Sequence, residues 1–164
     1  MNSNISKYIW MDGNLVEFEK ATVPFLTSAL HYGSAVFEGI RCYKTDKGPA
    51  VFRLKEHMER LVDSALVLGF RSLPYTAEEL GEATLKTVAA NGFEECYTRP
   101  LIYSGGAALS LNLDATEAKV GIAVWDMGSY LGEDGMENGI RAHISSFTRH
   151  HPNVTMTKSK ASGN

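Results

Sequence analysis

Apolar residues recur at intervals of three and four over one long segment of the chain, Leu54–Leu68. At this spacing Met58, Leu61 and Ala65 fall on one face of a helix, and charged residues lie on another side. Gly69 follows as a natural C-cap. The pattern therefore predicts a helix over Leu54–Leu68.

A second helix is predicted from about Ala77 to Ala90. Thr76 and Glu79 have the spacing of a capping box at its start, and Asn91-Gly92 marks its end. Gly81 lies inside this helix and weakens it by roughly 1 kcal/mol relative to alanine.

Shorter apolar runs between turn residues are typical of strands. The predicted strands are Tyr8–Met11, Leu15–Phe18, Ala35–Tyr43, Ala50–Arg53, Cys96–Tyr103, Lys119–Trp125 and Ile140–Phe147. Asp12-Gly13-Asn14 joins the first two as a hairpin turn, and Pro100, which lacks a backbone donor, indicates a sheet edge or a bulge. Hairpins followed by two helices and further strands favour an α+β fold with a largely antiparallel sheet.

Two glycine-containing segments are predicted to be irregular, a loop over Ser104–Asp114 and a linker over Gly128–Gly139. The strand predicted at Ile140–Phe147 looks like the start of a new unit, and the sequence stops at Gly163-Asn164 without a closing helix. We therefore expect the sequence to be part of a longer protein.

Composition excludes several classes of function. The 164 residues are 44% hydrophobic and 21% charged with a net charge of −3, as in a soluble globular protein without a bias toward nucleic acid or anionic membranes. No apolar run approaches the roughly 20 residues that span a bilayer, and the first residues lack a signal peptide. We expect a cytoplasmic protein with Cys42 and Cys96 as free thiols and no metal site.

The stretch Ala29–Tyr43 combines apolar residues with Gly33, Gly39, Glu38 and Arg41. Glycines inside an extended segment often mark a close approach of the backbone to another group. Neighbouring charges indicate that this group is a ligand.

Three arginines, Arg41, Arg60 and Arg99, lie in or beside apolar segments, and arginine binds carboxylate or phosphate through paired hydrogen bonds. Arg60 has an alternative as an exposed partner of Glu56. Tyr97 and Arg99 share one face of a strand, where they would bind one anion together or, alternatively, satisfy each other.

Lys158 and Lys160 lie among small residues, which leave room for a bulky adduct. A buried lysine forms a Schiff base with an aldehyde cofactor, whereas the alternative is an ordinary solvated lysine. An apolar pocket would be lined by Phe37, Tyr32, Tyr103 and Tyr130, although aromatic residues at such spacings more often belong to the core.

Five motifs resemble, in order, those of the branched-chain amino acid aminotransferases, which are pyridoxal-phosphate enzymes of fold type IV. They are ALHYGSAVFEGIR, FRLKEHMERLVDSA, CYTRPLIY, GSYLG and KSKASGN. The resemblance runs from about Tyr8 to the last residue and is closest to the bacterial anabolic enzyme. It implies a D-amino acid aminotransferase-like fold with a small N-terminal domain (1–127), a linker (128–138) and the truncated start of the large cofactor-binding domain (139–164).

The same resemblance implies roles for individual residues. Lys160 matches the catalytic lysine that holds pyridoxal 5'-phosphate as a Schiff base, and Arg60 matches the arginine that binds its phosphate. The implied substrate-binding residues are Phe37, Gly39, Arg41, Tyr97, Arg99 and Tyr130, with Tyr32 and Leu111 contributed across a dimer interface. Asp126-Met127 and the loop at 107–110 depart from the family pattern, which puts fine substrate specificity in doubt.

The reaction implied is transamination of L-leucine, L-isoleucine and L-valine with 2-oxoglutarate, in a homodimer or higher homo-oligomer. The family's partner for the pyridine nitrogen lies beyond Lys160, so we expect the 164 residues alone to be inactive. Alternatives are another fold-type-IV enzyme (a D-amino acid or R-amine transaminase, or aminodeoxychorismate lyase) and a non-catalytic dimerisation or binding domain.

Overall fold

The computed structural model describes residues 5–107, 109–128, 132–151 and 153–163. Its strands are β1 (Tyr8–Met11), β2 (Asn14–Glu17), β3 (Ala35–Phe37), β4 (Ile40–Thr45), β5 (Gly48–Val51), β6 (Cys96–Gly105) and β7 (Glu117–Trp125). Its helices are α1 (Ser28–Tyr32), α2 (Leu54–Leu68), α3 (Ala77–Asn91) and α4 (Gly132–Asn138). No helix in the described part of the chain is long and apolar enough to cross a membrane.

The strands form one sheet in the order β2-β1-β7-β6-β4-β5, and β3 also pairs with β6. Each of these pairings is antiparallel. Phe37 pairs with Leu101 and Ile40 with Thr98, so β3 and β4 lie one after the other along the same side of β6. The predicted α+β fold with a largely antiparallel sheet is confirmed.

Helices α2 and α3 pack against each other and against one face of this sheet. The helix predicted over Leu54–Leu68 has those bounds, and Met58, Leu61 and Ala65 on its apolar face are completely buried. The predicted capping box of α3 is also confirmed, since Thr76 and Glu79 exchange hydrogen bonds at its first turn.

The prediction of a sheet edge or bulge at Pro100 is wrong, because β6 is central and unbroken. The Pro100 carbonyl accepts a hydrogen bond from the Glu38 amide at 2.9 Å. In an antiparallel strand the nitrogen and carbonyl of a residue face the same neighbour, so the missing donor also faces Glu38. That residue lies in the gap between β3 and β4, and the break therefore occurs in the neighbouring strand.

Three further predictions differ from the structure. The strand predicted over Ala35–Tyr43 is divided at Glu38-Gly39, and the short helix α1 precedes it. The linker predicted over 128–139 contains α4. The predicted strand Ile140–Phe147 has no regular structure and is largely exposed, because its backbone meets no neighbouring strand within the described residues.

Cys42 and Cys96 lie opposite each other on β4 and β6, and both are buried free thiols. Burial, with Cys42 beside it, raises the pKa of Cys96 to about 12. Burial also raises the pKa of Cys42. Both are therefore protonated and unreactive at neutral pH.

Candidate active site

One face of the sheet carries most of the residues predicted to bind substrate. Side chains alternate between the two faces of a strand, and the register places Arg41 opposite Tyr97. Phe37, Gly39 and Arg41 therefore share a face with Tyr97 and Arg99, opposite the face covered by the helices.

Lys160 is anchored beside this sheet by its own backbone. Its amide donates to Ser64 Oγ at 3.1 Å, and its carbonyl accepts from the Phe37 amide at 3.1 Å. Ser159 Oγ donates to the Ser64 carbonyl at 2.9 Å. The Lys160 ammonium lies 4.6 Å from the centroid of the Phe37 ring. Lys160 is thus a half-buried residue of the site, not a solvated chain end.

Two glycines allow the segment that carries Lys160 to approach the first half of the chain. Gly33 ends α1 with φ of 66°, and a Cβ on Gly33 would lie 3.0 Å from Gly163 Cα. Nearby, the Ser162 amide donates to the Ala35 carbonyl at 2.8 Å. Only glycine at position 33 meets both the backbone angle and the spacing.

A cleft of about 380 Å³ brings together Lys160, Arg60 and Phe37. Its other lining residues are Arg149, His150, Thr157, Lys158, Ser159 and Ala161. A primary amine and a guanidinium in one cleft form a cationic site beside an aromatic ring.

The partner of Arg60 is Glu38, so the alternative pairing with Glu56 is wrong. Arg60 Nε and Nη2 donate to Glu38 Oε1 and Oε2 at 2.5 and 2.7 Å, and His57 Nδ1 lies 2.9 Å from Oε2. Burial alone would raise the pKa of Glu38, but the bonds from Arg60 and His57 outweigh it and lower that pKa. Glu56 instead accepts from Arg53.

Arg99 lies among three aromatic rings. Its Cζ is 4.7 Å from the ring centroid of Phe37, 5.5 Å from that of Tyr97 and 5.8 Å from that of Trp125. Nη2 donates to the Tyr97 hydroxyl at 3.4 Å, a long bond. The buried Nε has no hydrogen-bond partner among the described residues. Tyr97 therefore does not satisfy Arg99, which leaves a donor for an anion.

Gly39 provides the space that the Tyr97 ring occupies. A Cβ at position 39 would lie 1.7 Å from the Tyr97 hydroxyl oxygen. Gly39 therefore acts through Tyr97, and the close approach expected of this glycine is to a side chain of the site.

Of the remaining predicted residues, three are described by the structure and none of these lines the cleft. Arg41 turns toward the Gly128 carbonyl, at 3.3 Å, and lines a separate cleft of about 340 Å³. Tyr32 and Leu111 are exposed and absent from the cleft lining. Tyr130 lies outside the described residues.

Sequence reasoning did not assign the contacts of three residues in or beside the site. Trp125 was assigned only to a strand, although it ends β7 directly opposite Tyr97. Glu38 was noted only as a charge beside Gly39, without its partner, and His57 had no role. A signal existed for Glu38, since a carboxylate at an inward-facing position of an apolar strand requires a buried partner.

Comparison with known proteins identifies the family of this chain. The family profile described as amino-transferase class IV matches residues 35–163. The chain is 44% identical to the branched-chain-amino-acid aminotransferase of Pseudomonas aeruginosa, over 94% of the chain and 50% of the relative. The chain thus spans about half the length of the curated relatives it matches.

Two solved structures are similar throughout the chain. The Escherichia coli branched-chain amino acid aminotransferase has a TM-score of 0.89 at 43% identity, covering 97% of this chain and 52% of that one. The branched-chain aminotransferase of the thermophilic archaeon Thermoproteus uzoniensis, solved with norvaline, has a TM-score of 0.86 at 43% identity, over 96% and 52%. Since the family profile covers most of its length, this chain belongs to the class IV aminotransferases.

Proposed function

We propose that the protein carrying this chain is a branched-chain amino acid aminotransferase that uses pyridoxal 5'-phosphate. It would transfer the amino group of L-leucine, L-isoleucine or L-valine to 2-oxoglutarate. The observation that carries this proposal is the half-buried residue Lys160, whose amine contacts the Phe37 ring in a cleft shared with Arg60.

The donor set of the cleft fits this cofactor. An aldehyde requires a primary amine, which Lys160 supplies, and a phosphate requires a cation with several donors, which Arg60 supplies. When bound, pyridoxal phosphate accepts the electron pair left by removal of the substrate α-proton.

Lys160 is the base of the proposed site once its amine is free. Its backbone is fixed on both sides by Ser64 and Phe37, so its amine has a defined range beside the Phe37 ring. From there it takes the α-proton of the substrate and holds it for return. The Phe37 ring, 4.6 Å from the amine, would shield that side of it when substrate is bound.

Arg99 and the rings around it account for the two kinds of substrate. The aromatic rings of Phe37 and Trp125 offer apolar contact to a branched aliphatic side chain. The unpaired Nε of Arg99 offers a hydrogen bond to the distal carboxylate of glutamate or 2-oxoglutarate. One pocket then accepts both substrates, because its aromatic walls contact the aliphatic side chain and its cation binds the distal carboxylate.

The remaining predicted residues belong to the same proposal. By family resemblance we propose Tyr130 as a second wall of the side-chain pocket and Gly39 at its border, with Arg41 on the same face of the sheet in its separate cleft. Tyr32 and Leu111, 48% and 79% exposed, meet a second copy of the protein in a homodimer or higher homo-oligomer. The location is the cytoplasm, and the substrates are branched-chain amino acids, glutamate and the matching 2-oxo acids.

Substrate specificity of the complete protein tests this proposal. With 2-oxoglutarate as acceptor, we expect turnover of L-leucine, L-isoleucine and L-valine and none of D-alanine. Omitting 2-oxoglutarate is the control, since only a single turnover is then possible. Preference for D-alanine would assign the protein to a D-amino acid transaminase, and absence of turnover with every amine would favour a non-catalytic domain.

A further inference from the structure

Glu38 is a completely buried carboxylate directly beside the site, yet it points away from the face that carries the substrate residues. It lies between Phe37 and Gly39, whose positions face the site. As strand neighbours alternate in direction, the Glu38 side chain points toward α2 instead. Glu38 is not among the residues that line the cleft of Lys160.

The contacts of Glu38 join this strand junction to α2. Arg60 donates two parallel hydrogen bonds to its carboxylate, and His57, one turn earlier on α2, provides a third contact. The Glu38 side chain has no exposed area, whereas that of Arg60 is 54% exposed. The fixed end of the ion pair is therefore Glu38, and the movable end is the cleft-lining Arg60.

Two opposing effects follow for any phosphate bound at Arg60. The Glu38 charge partly cancels the attraction of Arg60 for an anion. Glu38 also restricts the rotation of the long Arg60 side chain, so less side-chain entropy is lost when a phosphate binds there. Water screens the charge effect at a side chain this exposed, whereas the bidentate geometry is retained, so orientation should outweigh neutralisation.

We propose that Glu38 is a positioning residue that holds the Arg60 guanidinium at the cleft, so that recognition of the cofactor's phosphate depends on a carboxylate outside the cleft. This inference rests on the proposed function, in which Arg60 binds that phosphate. The bond from His57, which requires the proton on Nδ1, completes the fixation of the carboxylate.

The inference is tested with two probes, one of which carries a phosphate that the other lacks. The complete protein and its Glu38→Gln variant are titrated with pyridoxal 5'-phosphate and with pyridoxal, and the ratio of the two affinities is compared. Glu38→Gln removes one charge-assisted hydrogen bond to Arg60. We therefore expect the affinity for pyridoxal 5'-phosphate, relative to that for pyridoxal, to fall about tenfold or more. Pyridoxal affinity should change little, because its aldehyde meets only Lys160.

A second readout does not involve the cofactor. In the wild-type protein the Arg60 Nε proton should give a protected NMR signal that exchanges slowly with water, and Glu38→Gln should accelerate that exchange. Glu56→Gln is the matched control, since it removes the carboxylate that Arg53 contacts on the same helix. It should leave both the affinity ratio and the Arg60 signal unchanged.

Each outcome decides between the explanations. An unchanged or increased affinity ratio in folded Glu38→Gln overturns the inference, and an increase would show that neutralisation dominates. If Glu38→Gln does not fold, Glu38→Asp tests the same point, because the shorter carboxylate keeps its charge but cannot hold Arg60 in the same place. An unchanged affinity ratio in Glu38→Asp also overturns the inference. If wild-type protein binds neither probe, the proposed function fails first.

Discussion

At the scale of single residues, the Phe37 ring lies between two cations, Lys160 and Arg99. Its ring lies 4.6 Å from the Lys160 amine and 4.7 Å from Arg99 Cζ. The proposed chemistry at Lys160 and the proposed substrate recognition at Arg99 are therefore separated by one ring. Local context made Lys160 and Arg99 candidates, but for Lys160 only the family resemblance favoured the cofactor role over an ordinary solvated lysine. The Glu38–Arg60 pair was not, because it joins residues 22 apart that no local pattern relates.

Gly39→Ala tests the coupling of glycine and tyrosine. The added Cβ would overlap the Tyr97 hydroxyl, so the ring must rotate and its bond to Arg99 should be lost. We expect kcat/KM of the complete protein to fall on the order of tenfold, equivalent to about 1.4 kcal/mol.

Gly121→Ala is the control for that substitution, because a Cβ at position 121 meets nothing within 4 Å. It should leave kcat/KM unchanged. A Gly39→Ala protein with full activity and an undisplaced Tyr97 ring would refute the role given to Gly39.

At the scale of elements, α2 joins the core to the site. Its apolar face packs on the sheet through Met58 and Leu61, its exposed side presents Arg60, and Ser64 holds the Lys160 segment. The spacing of apolar residues predicted the bounds of this helix, because one buried face requires apolar residues every three or four positions. The break between β3 and β4 was not predictable, since its sequence marker, Pro100, lies on the neighbouring strand.

Ser64→Ala should loosen the segment that carries Lys160. The Lys160 amide would lose its acceptor, and an unsatisfied buried donor costs about 1–3 kcal/mol. We expect hydrogen exchange of the Lys160 amide to accelerate about tenfold or more.

Thr87→Val provides the comparison, because the Thr87 hydroxyl donates within its own helix, to the Ala83 carbonyl at 2.7 Å. It should leave exchange at Lys160 unaltered. Equal exchange rates at Lys160 in wild type and Ser64→Ala would contradict the anchoring role of Ser64.

At the scale of the whole molecule, the site forms where distant parts of the chain meet. Phe37, Arg60 and Arg99 come from the first 100 residues, and Lys160 returns to them through the contact of Ala161 with Val36. The fold class followed from the order of the elements, but strand order and this closing contact depend on long-range packing. The predicted strand at 140–147 failed for the same reason, since a strand is defined by its neighbour.

The central claim is that Lys160 is the residue that takes the cofactor. The direct measurement is to incubate the complete protein with pyridoxal 5'-phosphate, reduce with borohydride and locate the label by peptide mass spectrometry. We predict label on Lys160, none on Lys158 two residues away, and none in Lys160→Ala, whereas Lys55→Ala on the exposed side of α2 should label normally. Label on another lysine, or undiminished transamination by Lys160→Ala, would contradict the account.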